Sequence, residues 1–204
     1  DKIAVGTVST QVIKSVNRHG GSMPFIFEKT PIEGLTVIKP RVFPDGRGFF
    51  VETYKESDFV SAGINEKFVQ DNHSSSVKGV LRGLHYQKNP FAQGKLVRVT
   101  RGCVWDVAVD LREKSATFGK WFGIKLDDVE RTMFYLPPGF AHGFVTLSDT
   151  AEFLYKCTAE YNKESEGGII WNDSDLKIEW PCDDVLVSDK DKILPGLSSS
   201  RGLF

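Results

Sequence analysis

Cysteine is scarce in this chain, with three in 204 residues, and histidine is nearly as rare, with four. Cys103, Cys157 and Cys182 stand too far apart for a metal knuckle, and their odd number argues against a disulfide framework, so the expected compartment is a reducing cytoplasm. No apolar run approaches the roughly 20 residues of a membrane helix. A surplus of either charge is missing too. With 26 Lys and Arg against 27 Asp and Glu the net charge is -1, which argues against a general binder of nucleic acid or membrane surfaces.

What is present suffices for a core. At 40% hydrophobic and 26% charged residues the chain fits one soluble globular domain. Gly20, Gly21 and Ser22 precede Met23, so residues 1–22 are expected to be a leader, either an expression remnant or a disordered arm, and residues 23–204 a single domain. The apolar stretch at residues 3–8 is too short for a signal peptide. His19 then drops out of the chemistry, leaving His73, His85 and His142.

From residue 32 to about 157 short β-rich segments are broken at Pro44-Asp45-Gly46, Arg101-Gly102 and Pro137-Pro138-Gly139. Many short antiparallel strands predict an all-β sandwich or barrel. Cys103, Trp105, Val107 and Val109 alternate with Asp106 and Asp110 on the other parity, as in a strand with one buried face. Lys95, Val97 and Val99 also share a face, so the lysine either points into a cavity or snorkels to water from a strand end. One helix is expected at residues 56–63, capped by Ser57 and stopped by Gly63, and further short helices after Pro181.

Two stretches carry chemistry. In GVLRGLHYQ, from Gly79, an arginine and a histidine interrupt a strand-like apolar run, which suggests an anionic ligand beside a base. Arg82 and His85 are three apart, so a regular strand would send them to opposite faces; a shared pocket needs an irregularity near Gly83 or an arginine reaching round an edge. LPPGFAHGF, from Leu136, has the proline, glycine and histidine spacing of the second half of the cupin signature. A metal cupin would carry a histidine where Gln87 stands, and His85 with His142 are too few ligands for a secure site, so the expected pocket holds no metal.

Longer blocks make the resemblance specific. They are VFPDGRGFFVETY from Val42, FVQDNHSSSVKGVLRGLHYQ from Phe68, QGKLVRVTRGCVWDVAVDLR from Gln93, FGKW from Phe118, PPGFAHGFVTLSDTAEFLYKCT from Pro137, EGGIIWNDSDLKIEWP from Glu166 and VSDKD from Val187. Together they resemble the dTDP-4-dehydrorhamnose 3,5-epimerases, the RmlC-like branch of the cupin superfamily. The resemblance implies a cupin-type jelly roll with a few short, mostly C-terminal helices. It also implies a cofactor-free epimerase acting on a dTDP-linked 4-keto-6-deoxyhexose.

In that family the base matches His85, the acid Tyr155, the base's carboxylate partner Asp191, and a lysine beside the sugar ketone Lys95. Positions around the nucleotide, diphosphate or sugar match Arg47, Glu52, Gln70, Asp71, Asn72, Arg82, His142, Glu166 and Lys190. Alternation favours Gln70 and Asn72 over Asp71 as pocket residues. The resemblance further implies a homodimer by strand exchange involving residues 31–54, and a C-terminal segment from about residue 182 that closes the active site. A single-centre epimerase or ketoisomerase, a metal-dependent cupin, and a non-catalytic sugar-binding jelly roll stand as the alternatives.

Overall fold

A computed structural model describes Val12, Ile13 and residues 24–204. The rest of the expected leader, with His19, and Met23 lie outside the described residues. Alternating side chains produce two antiparallel sheets packed face to face as a jelly roll. One has seven strands, in the order β1 (Val12–Ile13), β2 (Phe25–Lys29), β3 (Thr36–Pro40), β11 (Met133–Leu136), β8 (Lys95–Arg101), β13 (Thr150–Cys157) and β6 (Gln70–Val77). The other runs β10 (Trp121–Asp127), β9 (Cys103–Asp110), β12 (Phe140–Thr146), β7 (Val80–Gln87) and β14 (Glu166–Gly168), with β15 (Leu186–Val187) parallel to β7. A hairpin of β4 (Val42–Asp45) and β5 (Gly48–Val51) stands apart as its own two-stranded sheet. Among the described residues no helix is long and apolar enough to cross a membrane.

Each face of each sheet has its own cover. Val97, Val99 and Phe153 from the first sheet meet Val104, Ala108 and Phe144 from the second in the central core. Leu96 points the other way, into a cluster with Phe27 and Phe59 under helix α1 (Glu56–Ser61). Val107 and Val109 turn outward beneath Leu176, Trp180 and Phe204 of the C-terminal segment. Strand β9 is therefore buried on both faces, and this corrects the expectation of one solvated face.

Asp106 and Asp110 are fully buried because they share the parity of Val104 and Ala108. Asp110 is satisfied by Arg112, Ser115 and Thr117 in the turn that follows β9. Helix α1 also departs from expectation at its start, where Lys55 occupies the N-cap without a side-chain hydrogen bond, while Gly63, at φ +90°, lies just beyond its end.

The irregularity in GVLRGLHYQ is a one-residue bulge. His142 pairs with His85, but Phe144 pairs with Arg82, so two steps on β12 match three on β7. The extra residue reverses the parity and turns Arg82 and His85 to the same side. Gly83 sits at φ +120° in a cis peptide with Leu84, and a Cβ on it would lie 2.6 Å from the Cα of Gly143. Reciprocally, a Cβ on Gly143 would lie 2.8 Å from the carbonyl oxygen of Arg82.

The obstacle at Gly143 is backbone, so the strands themselves would have to separate. Gly143→Ala is expected to lower stability by about 2 kcal/mol, in the range of an overpacked core. Urea unfolding measures it, and a loss within experimental scatter would contradict this reading of the contact.

Candidate active site

A pocket of about 340 Å³ opens between the sheets where the apolar stack ends. His85 and Gln87 line it from β7, Lys95 from β8, Tyr155 from β13, Gln70 and Asn72 from β6, and Glu166 from β14. Period-two alternation accounts for the first sheet's share. Lys95 continues the inward face of Val97 and Val99, and Tyr155 that of Phe153, so both leave the apolar core and enter the cavity. The Lys95 ammonium lies 6.0 Å from the centre of the Tyr155 ring.

The second sheet supplies His85. Its Nε2 is 2.7 Å from Oδ1 of Asp191, and the other carboxylate oxygen accepts from the Gly83 amide at 3.3 Å. Asp191 lies on a four-residue helix, α2 (Asp189–Lys192), capped by Ser188, whose Oγ accepts the Asp191 amide at 3.2 Å. Only 4% of Asp191 is exposed. Burial pushes its carboxyl up, but the His85 hydrogen bond and charge, the Gly83 amide and Lys190 outweigh that and hold it below the usual range.

A second imidazole–carboxylate pair lies behind the pocket. His142 Nε2 meets Asp106 Oδ2 at 2.8 Å, with both side chains buried, and the ring stacks on Phe153. Burial pushes the His142 pKa down against the attraction of Asp106, and the charges of Lys95 and His85 push the same way. Lys95 is likewise lowered by burial, opposed by Cys157, Asp106 and Glu166. Burial raises the Tyr155 phenol, Cys157 adds to this and Arg82 opposes it, so the hydroxyl keeps its proton as a donor.

The remaining expected residues divide. Glu166 is held by Lys190 and by the Tyr161 hydroxyl, at 3.1 Å, at the rim. Arg82 reaches across to β6, donating to Ser76 Oγ at 3.0 Å. Asp71 faces the opposite side of β6 and pairs with Lys156. Arg47 and Glu52 are outside the pocket; Arg47 is on the hairpin, 91% exposed, and bonded to Asp45.

The comparisons with known proteins agree on the family. The family model for dTDP-4-dehydrorhamnose 3,5-epimerase matches residues 29–199. The dTDP-4-dehydrorhamnose 3,5-epimerase of Shigella flexneri is 54% identical over 164 residues, covering 80% of this chain and 91% of that protein. The crystal structure of the Elizabethkingia anophelis epimerase is 50% identical with a TM-score of 0.84, over 89% of this chain and all of that one. The Legionella pneumophila enzyme, in complex with dTDP-4-keto-L-rhamnose, is 47% identical with a TM-score of 0.82, over 84% of this chain and 92% of that one. This chain belongs to the dTDP-4-dehydrorhamnose 3,5-epimerase family.

The site residues of this epimerase-family chain that escape the sequence reading include Asp106 and Tyr161, along with Tyr86 and Gln93 in the pocket lining. Asp106 was placed on a solvated face, although Val104 and Ala108 share its parity and mark it as inward. Tyr161, 57% exposed at the pocket mouth, lies in an irregular loop where no periodicity applies. Buried Gln87 and half-buried Gln70 hold that loop, accepting the amides of Asn162 at 2.7 Å and Tyr161 at 2.8 Å.

The buried His142 has a consequence for stability. Its folded pKa is depressed, so the unfolded chain takes up the proton more readily, and stability is lost as pH falls below the unfolded value of 6.5. One such group contributes a slope of at most about 1.4 kcal/mol per pH unit. Urea unfolding between about pH 8 and pH 5 should show the decline, and His142→Gln should flatten it. Equal slopes in the two proteins would contradict a ring kept neutral by burial.

Proposed function

We propose that this protein inverts C3 and C5 of dTDP-4-dehydro-6-deoxyglucose to give dTDP-4-dehydrorhamnose, a step in making dTDP-L-rhamnose. The observation that carries the reading is that His85 and Tyr155 line one pocket from opposite sheets. The C4 ketone acidifies the hydrogens at C3 and C5, so inversion needs a base on one side of the ring, an acid on the other, and no redox step. The His85 nitrogen not bonded to Asp191 takes the proton, and Asp191 stabilises the resulting imidazolium. The Lys95 ammonium neutralises the enolate, and the Tyr155 hydroxyl returns a proton to the opposite face.

Arg82 suits the diphosphate, and the exposed Tyr161 ring offers a surface on which a base can stack. Gln70, Asn72, Glu166 and Lys190 surround that end of the pocket, His142 backs the sugar end, and the segment from about residue 182 closes the site by carrying Asp191. Asp71 would reach substrate only by leaving Lys156.

Arg47 and Glu52 serve a second copy of the chain. Phe49 and Phe50 on the free-standing hairpin are 55% and 64% exposed, and β6, the edge of the seven-stranded sheet, borders the pocket. A hairpin added there would bring Arg47 and Glu52 to the neighbouring site. Three cysteines without disulfides fit a cytoplasmic enzyme.

In deuterated water the protein should place deuterium at C3 and C5 of the 4-keto sugar, read by NMR of the product, with activity indifferent to chelators. Absence of exchange with folded protein would sink the reading, and exchange at one carbon alone would make it a single-centre epimerase. His85→Ala should lower kcat about a thousandfold, whereas Tyr155→Phe should retain exchange but yield little inverted product. Light scattering should give the mass of a dimer, with Arg47→Ala raising KM. A stable monomer of full activity would remove Arg47 and Glu52 from the site.

A further inference from the structure

Glu166 and Lys190 do more in this fold than border the pocket. Glu166 opens β14, opposite Gln87 and two positions from the pairing of Gly168 with His85. Lys190 immediately precedes Asp191 on α2. Their ion pair therefore ties the strand next to the base to the helix that carries the base's carboxylate. The second Glu166 oxygen accepts the Tyr161 hydroxyl at 3.1 Å, so both oxygens are engaged within the protein.

Helix α2 has four residues, far below the length at which a helix sustains itself, so its position rests on what holds it from outside. Three contacts converge on Asp191: the His85 ring, the Gly83 amide and the Ser188 cap. The first two are made by the carboxylate itself and cannot preposition it. Ser188 shapes the turn but belongs to the same segment. The segment is tied to the sheet on the N-terminal side of α2 by β15, which pairs with β7 at Val80 and Leu81, and on the helix itself by the Lys190 to Glu166 pair.

We propose that the Glu166–Lys190 ion pair is a strut that holds Asp191 against His85, which makes both residues positioning residues for the base. This rests on the reading of His85 as the base. Because Tyr161 shares Glu166, the strut also joins the ring at the mouth to the dyad. With β15 still anchored on β7, loss of either charge loosens α2 itself, lets Asp191 shift from Nε2, and frees the imidazole to change tautomer.

The signature is the Nε2 proton that His85 shares with Asp191, read by NMR as a low-field resonance in substrate-free protein and identified by its disappearance in His85→Asn. Glu166→Gln and Lys190→Gln should each broaden or abolish it, and each should lower kcat about tenfold with a smaller change in KM. Both effects run in one direction, although one substitution removes a negative charge and the other a positive one. A direct field on the ring would act oppositely in the two.

In an Asp191→Asn background neither substitution should reduce kcat further, and the exchanged pair Glu166→Lys with Lys190→Glu should recover the resonance and most of the activity. The strut is overturned by an intact resonance in the single variants, by opposite responses, or by losses confined to KM that multiply with Asp191→Asn. A wild type that showed the resonance but no deuterium exchange would remove the epimerase reading alone, leaving the resonance to decide the strut.

Discussion

The hydrogen bond between His85 and Asp191 is the contact on which the site depends. It joins residues 106 positions apart, and both ends need the rest of the fold. A buried carboxylate without a partner costs about 3 to 5 kcal/mol when its partner is removed. Asp191 can therefore sit at 4% exposure only because the ring, the Gly83 amide and α2 arrive together. The bulge at Gly83 serves both ends, since it turns His85 toward the pocket and aims its own amide at the second carboxylate oxygen. The C-terminal segment that covers the outer face of the second sheet with Leu176, Trp180 and Phe204 continues over the edge of β7 to deliver Asp191.

The same constraint explains the second pair. The central core is apolar, yet Lys95, Asp106 and His142 project toward it from strands that also send valine, alanine and phenylalanine inward. A carboxylate in such a core needs a hydrogen-bond partner. His142 fills one of its oxygens, and the Lys95 ammonium lies near enough to feel its charge. Lys95 in turn is held below its ordinary range by burial, against the opposing pull of Cys157, Asp106 and Glu166.

What the chain discloses by itself follows from periods. That Lys95 lies in line with Val97 and Val99 is legible from two-residue alternation, but whether it enters a cavity or snorkels to water is not. The need for a break between Arg82 and His85 is legible as well. Its form is not, since a bulge is a relation between two strands and Gly143, which permits the close approach, stands 60 positions from Gly83. Asp106 escapes because an apolar parity on one side does not make the other side wet when a C-terminal segment covers the second face. Asp191 was identifiable only through resemblance: Asp183, Asp184 and Asp189 look the same locally, and what distinguishes it is which one the four-residue helix turns toward β7. The cap at Ser57 fails for a smaller reason, since the helix begins two residues earlier than that cap requires.

The two-sheet architecture also sets the spacing of His85 and Tyr155. Sheets packed face to face stand about 10 Å apart, and in the core that space is filled by pairs such as Phe144 and Phe153, stacked with ring centres 4.2 Å apart. Phe144 pairs with Arg82 on one side of the bulge and His142 with His85 on the other, and both Phe144 and His142 stack against Phe153. The position of β7 relative to β13 is thus fixed by rings just inside the pocket, immediately before the side chains change from phenylalanine to His85 and Tyr155. The pocket takes the place that the next aromatic pair would have filled, with His85 on one wall and Tyr155 on the other. Their opposed placement follows from a sandwich whose packing stops one layer short of its rim.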